Sequence, residues 1–178
     1  IGGGTDGADI ILGDNGRLEQ TAPVASPTAH VPLLETTANA VGGIDTVTTG
    51  EGGDLVLLGA GADILTDTGG NNIVLGDNGR IVGLDEVPAA GQGRPVVLDS
   101  IVTVDADIGA GDQSTTGLGS DIVLGGAGGD QITSNNGESI GVYDSADILI
   151  GDHATISFTR DSGAEYATQI RSIDEVEG

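Results

Sequence analysis

A chain of 178 residues with a formal net charge of −23, set by 28 acidic side chains against 5 arginines, excludes nucleic acid as a partner because phosphates would be repelled. An aromatic content of 2% excludes a wide globular core, so the buried volume must be a thin column of Val, Ile, Leu and Ala. Two readings of the charge remain, solvated disorder or carboxylates that wait for cations, and 37% hydrophobic residues in regular places favour the second.

In chain order, the first predicted element is a short aliphatic strand closed by a Gly-Asp-Asn-Gly turn, "GADIILGDNGRL" at Gly7–Leu18, the end of a first module over residues 1–16. A strand-turn-strand arm follows over 17–41, its turn marked by Pro. Residues 42–79 form a second module read as nine-residue blocks, "GIDTVTTGE", "GGDLVLLGA", "GADILTDTG", "GNNIVLGDN". Each block carries Gly, then Asp or Asn, then an aliphatic residue or Thr. A helix would need apolar spacing near 3.6 and would suffer from the repeated glycines, so the blocks read as short strands bounded by turns. A second arm spans 80–108, a third module 109–153, and a last arm 154–178, where Ile156 and Phe158 are expected to face Tyr166 and Ile170. The fold class expected is all-β, a parallel β-solenoid of nonapeptide coils interrupted by hairpin arms that protrude from the column and either pack along it or pair edge to edge with a neighbouring chain.

A longer period lies above the short one. "TTGEGGDLVLLGAGADILT" (Thr48–Thr66) returns as "TTGLGSDIVLGGAGGDQIT" (Thr115–Thr133) at an offset of 67, while Asp14, Asp77 and Asp152 are 63 and then 75 apart. The unequal offsets place about four extra residues after Gly79 and about eight within "SNNGESIGVYDS", so that loops absorb the change and the coils are preserved.

The blocks resemble the glycine-rich nonapeptide of hemolysin-type (RTX) repeats, Gly-Gly-x-Gly-x-Asp-x-aliphatic-x, over residues 4–16, 42–79, 109–133 and, more loosely, 144–153. The arms are not part of that pattern. The resemblance implies a parallel β-roll with two nonapeptides per coil, loops that bind several Ca²⁺ ions, type I export and folding outside the cell. Physical chemistry points the same way: Ca²⁺ takes six to eight oxygens, and glycine lets a backbone turn its carbonyls toward one point. In a two-block coil, residues 18 apart stack at ~4.8 Å. Asp45 is then expected against Asp63, Asp54 against Asn72, and Asp112 against Asp130. Asp121 finds Ser139 at that spacing, and Asp147 takes the role through the insertion. The metal ligands expected are Asp9, Asp14, Asp45, Asp54, Asp63, Asn72, Asp77, Asp112, Asp121, Asp130, Asp147 and Asp152. Asn72 brings an oxygen without charge, which weakens its site. Asp14 and Asp77 are read as closing the last site where the chain leaves the roll.

Rival constellations are weaker. Gly2, Gly4 and Gly7 spell a dinucleotide fingerprint, but an Asp and a strand follow where a helix is needed. "DADIGAGD" (Asp105–Asp112) starts like an EF-hand loop, yet its twelfth position is Thr116. His30 and His153 read as surface imidazoles, and no catalytic motif is present, so no enzyme is expected. The ninth position runs Thr48, Leu57, Thr66, Leu75, which breaks the threonine row that an ice-binding face needs. No run approaches the ~18–20 apolar residues of a membrane span. No signal peptide is present either, and the abrupt ends suggest a piece of a longer chain. The reading is a non-catalytic, calcium-dependent structural module of a large secreted bacterial surface protein (an adhesin stalk, filament or matrix component), with copies of itself as further partners through the arms. The alternative is the secretion and folding appendage of a secreted protease, lipase or epimerase.

Overall fold

The computed structural model describes residues 7–21, 30–89, 93–137, 146–161 and 164–172; Gly2 and Gly4, Ser139 and the tip of the first arm lie outside them. The described residues form β1 (Ile10–Leu12), β2 (Gly16–Thr21), β3 (His30–Thr36), β4 (Thr46–Thr48), β5 (Leu55–Leu57), β6 (Ile64–Thr66), β7 (Ile73–Leu75) and β8 (Gly79–Gly83). Then come β9 (Leu98–Thr103), β10 (Gln113–Thr115), β11 (Ile122–Leu124), β12 (Gln131–Thr133), β13 (Ile148–Ile150), β14 (Ala154–Asp161) and β15 (Ala164–Ser172). The architecture is all-β, with no helix among the described residues, so none is long and apolar enough to cross a membrane.

Every nine-residue block contributes one three-residue strand, and successive strands alternate between two parallel sheets. One has five strands in the order β1-β5-β7-β11-β13, the other four in the order β12-β10-β6-β4. Two blocks therefore make one circuit. The separations between rungs record what is inserted in each circuit: 45 residues from Asp9 to Asp54, 18 from Asp54 to Asn72, 49 from Asn72 to Asp121 and 26 from Asp121 to Asp147. The difference between 49 and 45 is the four-residue excess of the second arm, and that between 26 and 18 is the eight-residue insertion.

Of the two courses expected for the arms, their described residues take the one that packs along the column and do not protrude from it. They fold back and pair with one another as a six-stranded antiparallel sheet, β15-β14-β9-β8-β3-β2, lying on the five-stranded sheet. Residues Leu55, Leu57, Ile73, Leu75, Ile122 and Leu124 pack outward against Val31, Leu34, Ile81, Leu98, Ile101 and Ile156 of the arms. The middle residues Val56, Val74 and Val123 pack inward against Leu65, Val47 and Ile132. The five-stranded sheet is thus covered on both faces, which is why its strands read Leu-Val-Leu and Ile-Val-Leu without a polar position. The four-stranded sheet is covered on one face only, and its strands alternate as Thr-Val-Thr and Gln-Ile-Thr. The alternation of Thr and Leu at the ninth position is therefore two faces, not an interrupted row: Thr48, Thr66, Thr115 and Thr133 stand in one unbroken line. The line beside it, Thr46, Ile64, Gln113 and Gln131, is mixed.

Two circuits rise by about two parallel-strand spacings, and so do the two strands of one hairpin. The arm sheet and the coils therefore grow at one rate. One apolar row crosses all six arm strands in register, Leu18–Leu34–Ile81–Ile101–Ile156–Ile170. A bulge between Ser157 and Phe158 shifts the last hairpin, so Phe158 faces Ala167 and Thr159 faces Tyr166.

Candidate metal centre

Each aspartate of the nine-residue pattern sits one residue before a strand, and the winding sorts them to two edges. Asp45, Asp63, Asp112 and Asp130 precede strands of the four-stranded sheet, along the edge where the arms leave. Asp9, Asp54, Asn72, Asp121 and Asp147 precede strands of the five-stranded sheet, along the opposite edge. Both edges are ladders in which a side-chain oxygen accepts the backbone N–H of the equivalent residue one circuit away. On the arm edge Asp63 Oδ1 accepts from Asp45 at 2.7 Å, Asp112 from Asp63 at 2.8 Å and Asp130 from Asp112 at 2.9 Å. On the opposite edge Asp54 accepts from Asp9 at 2.8 Å, Asn72 from Asp54 at 2.9 Å, Asp121 from Asn72 at 2.9 Å and Asp147 from Asp121 at 2.9 Å. The rungs that run through an arm, Asp9 to Asp54, Asp63 to Asp112 and Asn72 to Asp121, escape a count of 18 because the inserted strands hide the spacing.

The second carboxylate oxygen is where the arrangement is unfinished. Oδ2 of Asp14, Asp45, Asp54, Asp63, Asp112, Asp121 and Asp130 is buried without a hydrogen-bond partner. On the arm edge these oxygens gather with backbone carbonyls around glycines that have no room for a Cβ. Gly13 is closed in by the Leu58 carbonyl and the Asp45 carboxylate, Gly76 by Asp112 and the Gly125 carbonyl, and Gly125 by Asp130 and the Gly151 carbonyl. Among the described residues no three His, Cys, Asp or Glu side chains converge as a metal cluster, so any cation held here takes much of its shell from carbonyls. An oxygen-only set of paired carboxylates and carbonyls fits a hard divalent cation such as Ca²⁺.

Burial is the leading cause of the raised pKa of Asp54, Asp63, Asp112, Asp121 and Asp130 in the ladders and of Asp67 and Asp77 beside them. Desolvation, with Asp112 and Asp130 as like charges, pushes Asp77 up to about 8. Asp112 rises to about 7 by desolvation beside Asp63 and Asp130. Asp63 rises to about 6 by desolvation beside Asp45 and Asp14, and Asp121 to about 6 by desolvation beside Asp147 and Asp67. Asp54, Asp67 and Asp130 are raised for the same first reason. Hydrogen bonds from backbone N–H groups lower these values but do not overcome burial.

The recurrent Gly-Asp-Asn-Gly turn is the device that lets the chain leave the coils and return. Asp14 accepts from the Gly43 N–H at 3.1 Å, where the first arm returns; Asp77 accepts from Ala110 at 3.3 Å and Ala127 at 2.5 Å. Asn15 donates to the Val41 carbonyl at 3.0 Å, and Asn78 to those of Asn39 and Ile108 at 3.1 and 3.2 Å, tying the returning loops. Asp14 and Asp77 thus lie beside the arm-edge ladder, and so does Asp152, which is exposed but close enough to act on Asp130 as a like charge. In the third copy His153 takes the place of the asparagine.

Other sequence readings change. His30 and His153 are buried, not on the surface; His30 begins β3 and sets Nε2 2.8 Å from Asp85. The Asp105 carboxylate accepts from Asn39 at 2.6 Å at a turn with φ of 54°. Asp67 was missed by the nine-residue pattern and is fully buried on the opposite edge, between Thr49 and Thr116. The signal was available in "TTGEGGD", "TDTGGNN" and "TTGLGSD", which align Thr49, Asp67 and Thr116.

No protein-family model matches the chain, and comparisons with curated proteins and with solved structures find no significant match.

Proposed function

We propose that the chain is a non-catalytic, calcium-dependent structural module, a parallel β-roll braced by its hairpin arms, belonging to a large secreted bacterial surface protein. The observation that carries this reading is the set of buried aspartates whose second oxygen has no partner. Such oxygens are costly to bury unless an ion or a proton satisfies them. Asp45, Asp63, Asp112 and Asp130, with Asp14 and Asp77 beside them, would hold ions on the arm edge; Asp9, Asp54, Asp121 and Asp147 would do so on the other. Bound Ca²⁺ supplies the positive charge that lets stacked carboxylates stay ionised.

The chain's own residues do the rest. Backbone N–H groups fix each Oδ1, glycines bring carbonyls close, and the arms cover the outer face of the five-stranded sheet. Extracellular calcium modules bind with Kd of about 10⁻⁴–10⁻³ M. A tenfold excess over Kd adds roughly 1.4 kcal/mol per site, so four or five sites give ~5–7 kcal/mol, the scale of a domain's stability. Scarce cytosolic calcium keeps the chain open before export, and millimolar calcium outside closes the circuits. Self-association, the other partnership proposed, would use the outer edges of β2 and β15, the strands of the arm sheet with a neighbour on one side only among the described residues. The test is a Ca²⁺ titration followed by far-UV circular dichroism: β-structure appears between micromolar and millimolar ion, and full folding in chelator at pH 8 refutes the reading.

A further inference from the structure

The opposite edge has two facing rows. The outer row is Asp54, Asn72, Asp121 and the inner row Thr49, Asp67, Thr116, stacked by backbone bonds from Thr49 to Thr66, Asp67 to Thr115 and Thr116 to Thr133. Each level carries one carboxylate. At two levels it is outside, facing a threonine; at the middle level it has crossed to the inside and faces an amide.

The consequence for polar satisfaction is sharp. At the outer two levels Asp54 Oδ2 and Asp121 Oδ2 are buried without a geometric hydrogen bond, with the Thr49 and Thr116 hydroxyls as their neighbours. At the middle level every side-chain polar atom is engaged. Asn72 Oδ1 accepts from Asp54 at 2.9 Å, and Asn72 Nδ2 donates to Asp67 Oδ2 at 2.8 Å. Asp67 Oδ1 accepts from the Thr49 hydroxyl at 2.8 Å, and Asp67 Oδ2 also accepts from the Gly117 N–H at 3.2 Å. The Asn72 amide N–H₂ is committed to Asp67, and Asp67 receives three donors. The amide N–H₂ occupies the role a cation would fill, since it is the one part of an Asn that an Asp cannot imitate.

We propose that the Asp67–Asn72 pair stands in for a cation, so that the middle level closes on hydrogen bonds alone while its neighbours depend on an ion. This deepens the calcium reading and rests on it for the neighbouring levels, but not for the pair itself. It reverses the expectation from sequence that Asn72 marks a weakened ion site. The module then has an ion-independent rung at its centre from which ion-dependent circuits close in both directions.

The experiment uses the full 178-residue chain and three variants, Asn72→Asp, Asp67→Thr and the double variant, at pH 8 in chelator and in millimolar CaCl₂. Urea unfolding and the number of bound calcium ions are measured. Asn72→Asp places a second carboxylate against Asp67. It should lower the folding constant at least tenfold in chelator and recover in calcium with one more bound ion than the parent. Asp67→Thr removes the acceptor of Asn72 and Thr49 and should weaken the fold equally in both buffers without changing the ion count. The double variant copies the neighbouring levels and should be rescued by calcium alone. The proposal is overturned if Asn72→Asp is as stable as the parent in chelator, or if Asp67→Thr binds one ion fewer. Failure of the calcium reading shows separately, as a parent chain that binds no ion, while the chelator arm still reads the pair.

Discussion

Asp112→Asn separates an ion ligand from a merely buried acid, because the two readings predict opposite signs. Asp112 is buried, its Oδ1 accepts the Asp63 N–H at 2.8 Å, and its Oδ2 has no partner. Asparagine keeps the accepting oxygen, as Asn72 does one ladder across. In chelator at pH 8 the carboxyl is ionised in both states, and its rise from 3.8 to about 7 opposes folding. One unit is about 1.4 kcal/mol, so removal of the charge should stabilise the ion-free chain by ~2–4 kcal/mol, part of the full shift being shared with its neighbours. For a chain of this size that is a rise in Tm of roughly 5–15 °C. In millimolar calcium the same substitution removes a ligand, and its Tm should fall below the parent's. Thermal melts by circular dichroism in the two buffers read the crossing. A Tm raised in both buffers would refute the ligand role, and a Tm lowered in both would refute the claim that burial opposes the charge.

Three further outcomes are expected. The folded pKa values of Asp63, Asp77, Asp112 and Asp121 lie above the unfolded 3.8, at about 6, 8, 7 and 6, so the stability they contribute is full below 3.8 and is lost as pH rises through those values. The ion-free chain should melt higher at pH 5 than at pH 8, and calcium should reverse the order because its ligands must be deprotonated; an ion-free Tm that rises with pH contradicts this. Gly126 has φ of +106° and its Cβ would meet the Asp77 carboxylate, so Gly126→Ala should cost about 2 kcal/mol in urea unfolding. Gly129→Ala, with nothing nearby, should stay within about 0.5 kcal/mol, and equal effects would discard the packing argument. Glu165 is buried with Arg94 at 2.5 Å and also accepts from the Leu98 N–H at 2.8 Å, so Glu165→Ala should cost about 3–5 kcal/mol by stranding the guanidinium. Glu19→Ala, from the exposed Arg17–Glu19 pair, should cost under about 1 kcal/mol, and a loss as large as that of Glu165→Ala would count against the distinction.

The sequence by itself determined the nine-residue rhythm, because glycine and aspartate must recur wherever a three-residue strand turns. It also located the insertions, since loops change length while rungs cannot. It determined which aspartates face each other at a spacing of 18. What only the tertiary structure decided is where the arms go and which rungs they hide. Nothing local in "RIVGLDEV" says that Ile81 will lie fully buried against Leu34, because that contact joins arms one module apart. Block alignment places Asp67 with Thr49 and Thr116, but only the tertiary structure shows that its donors Thr49 and Gly117 come from the circuits before and after its own. Short-range pattern fixes the turn; long-range stacking fixes what the turn's oxygens meet.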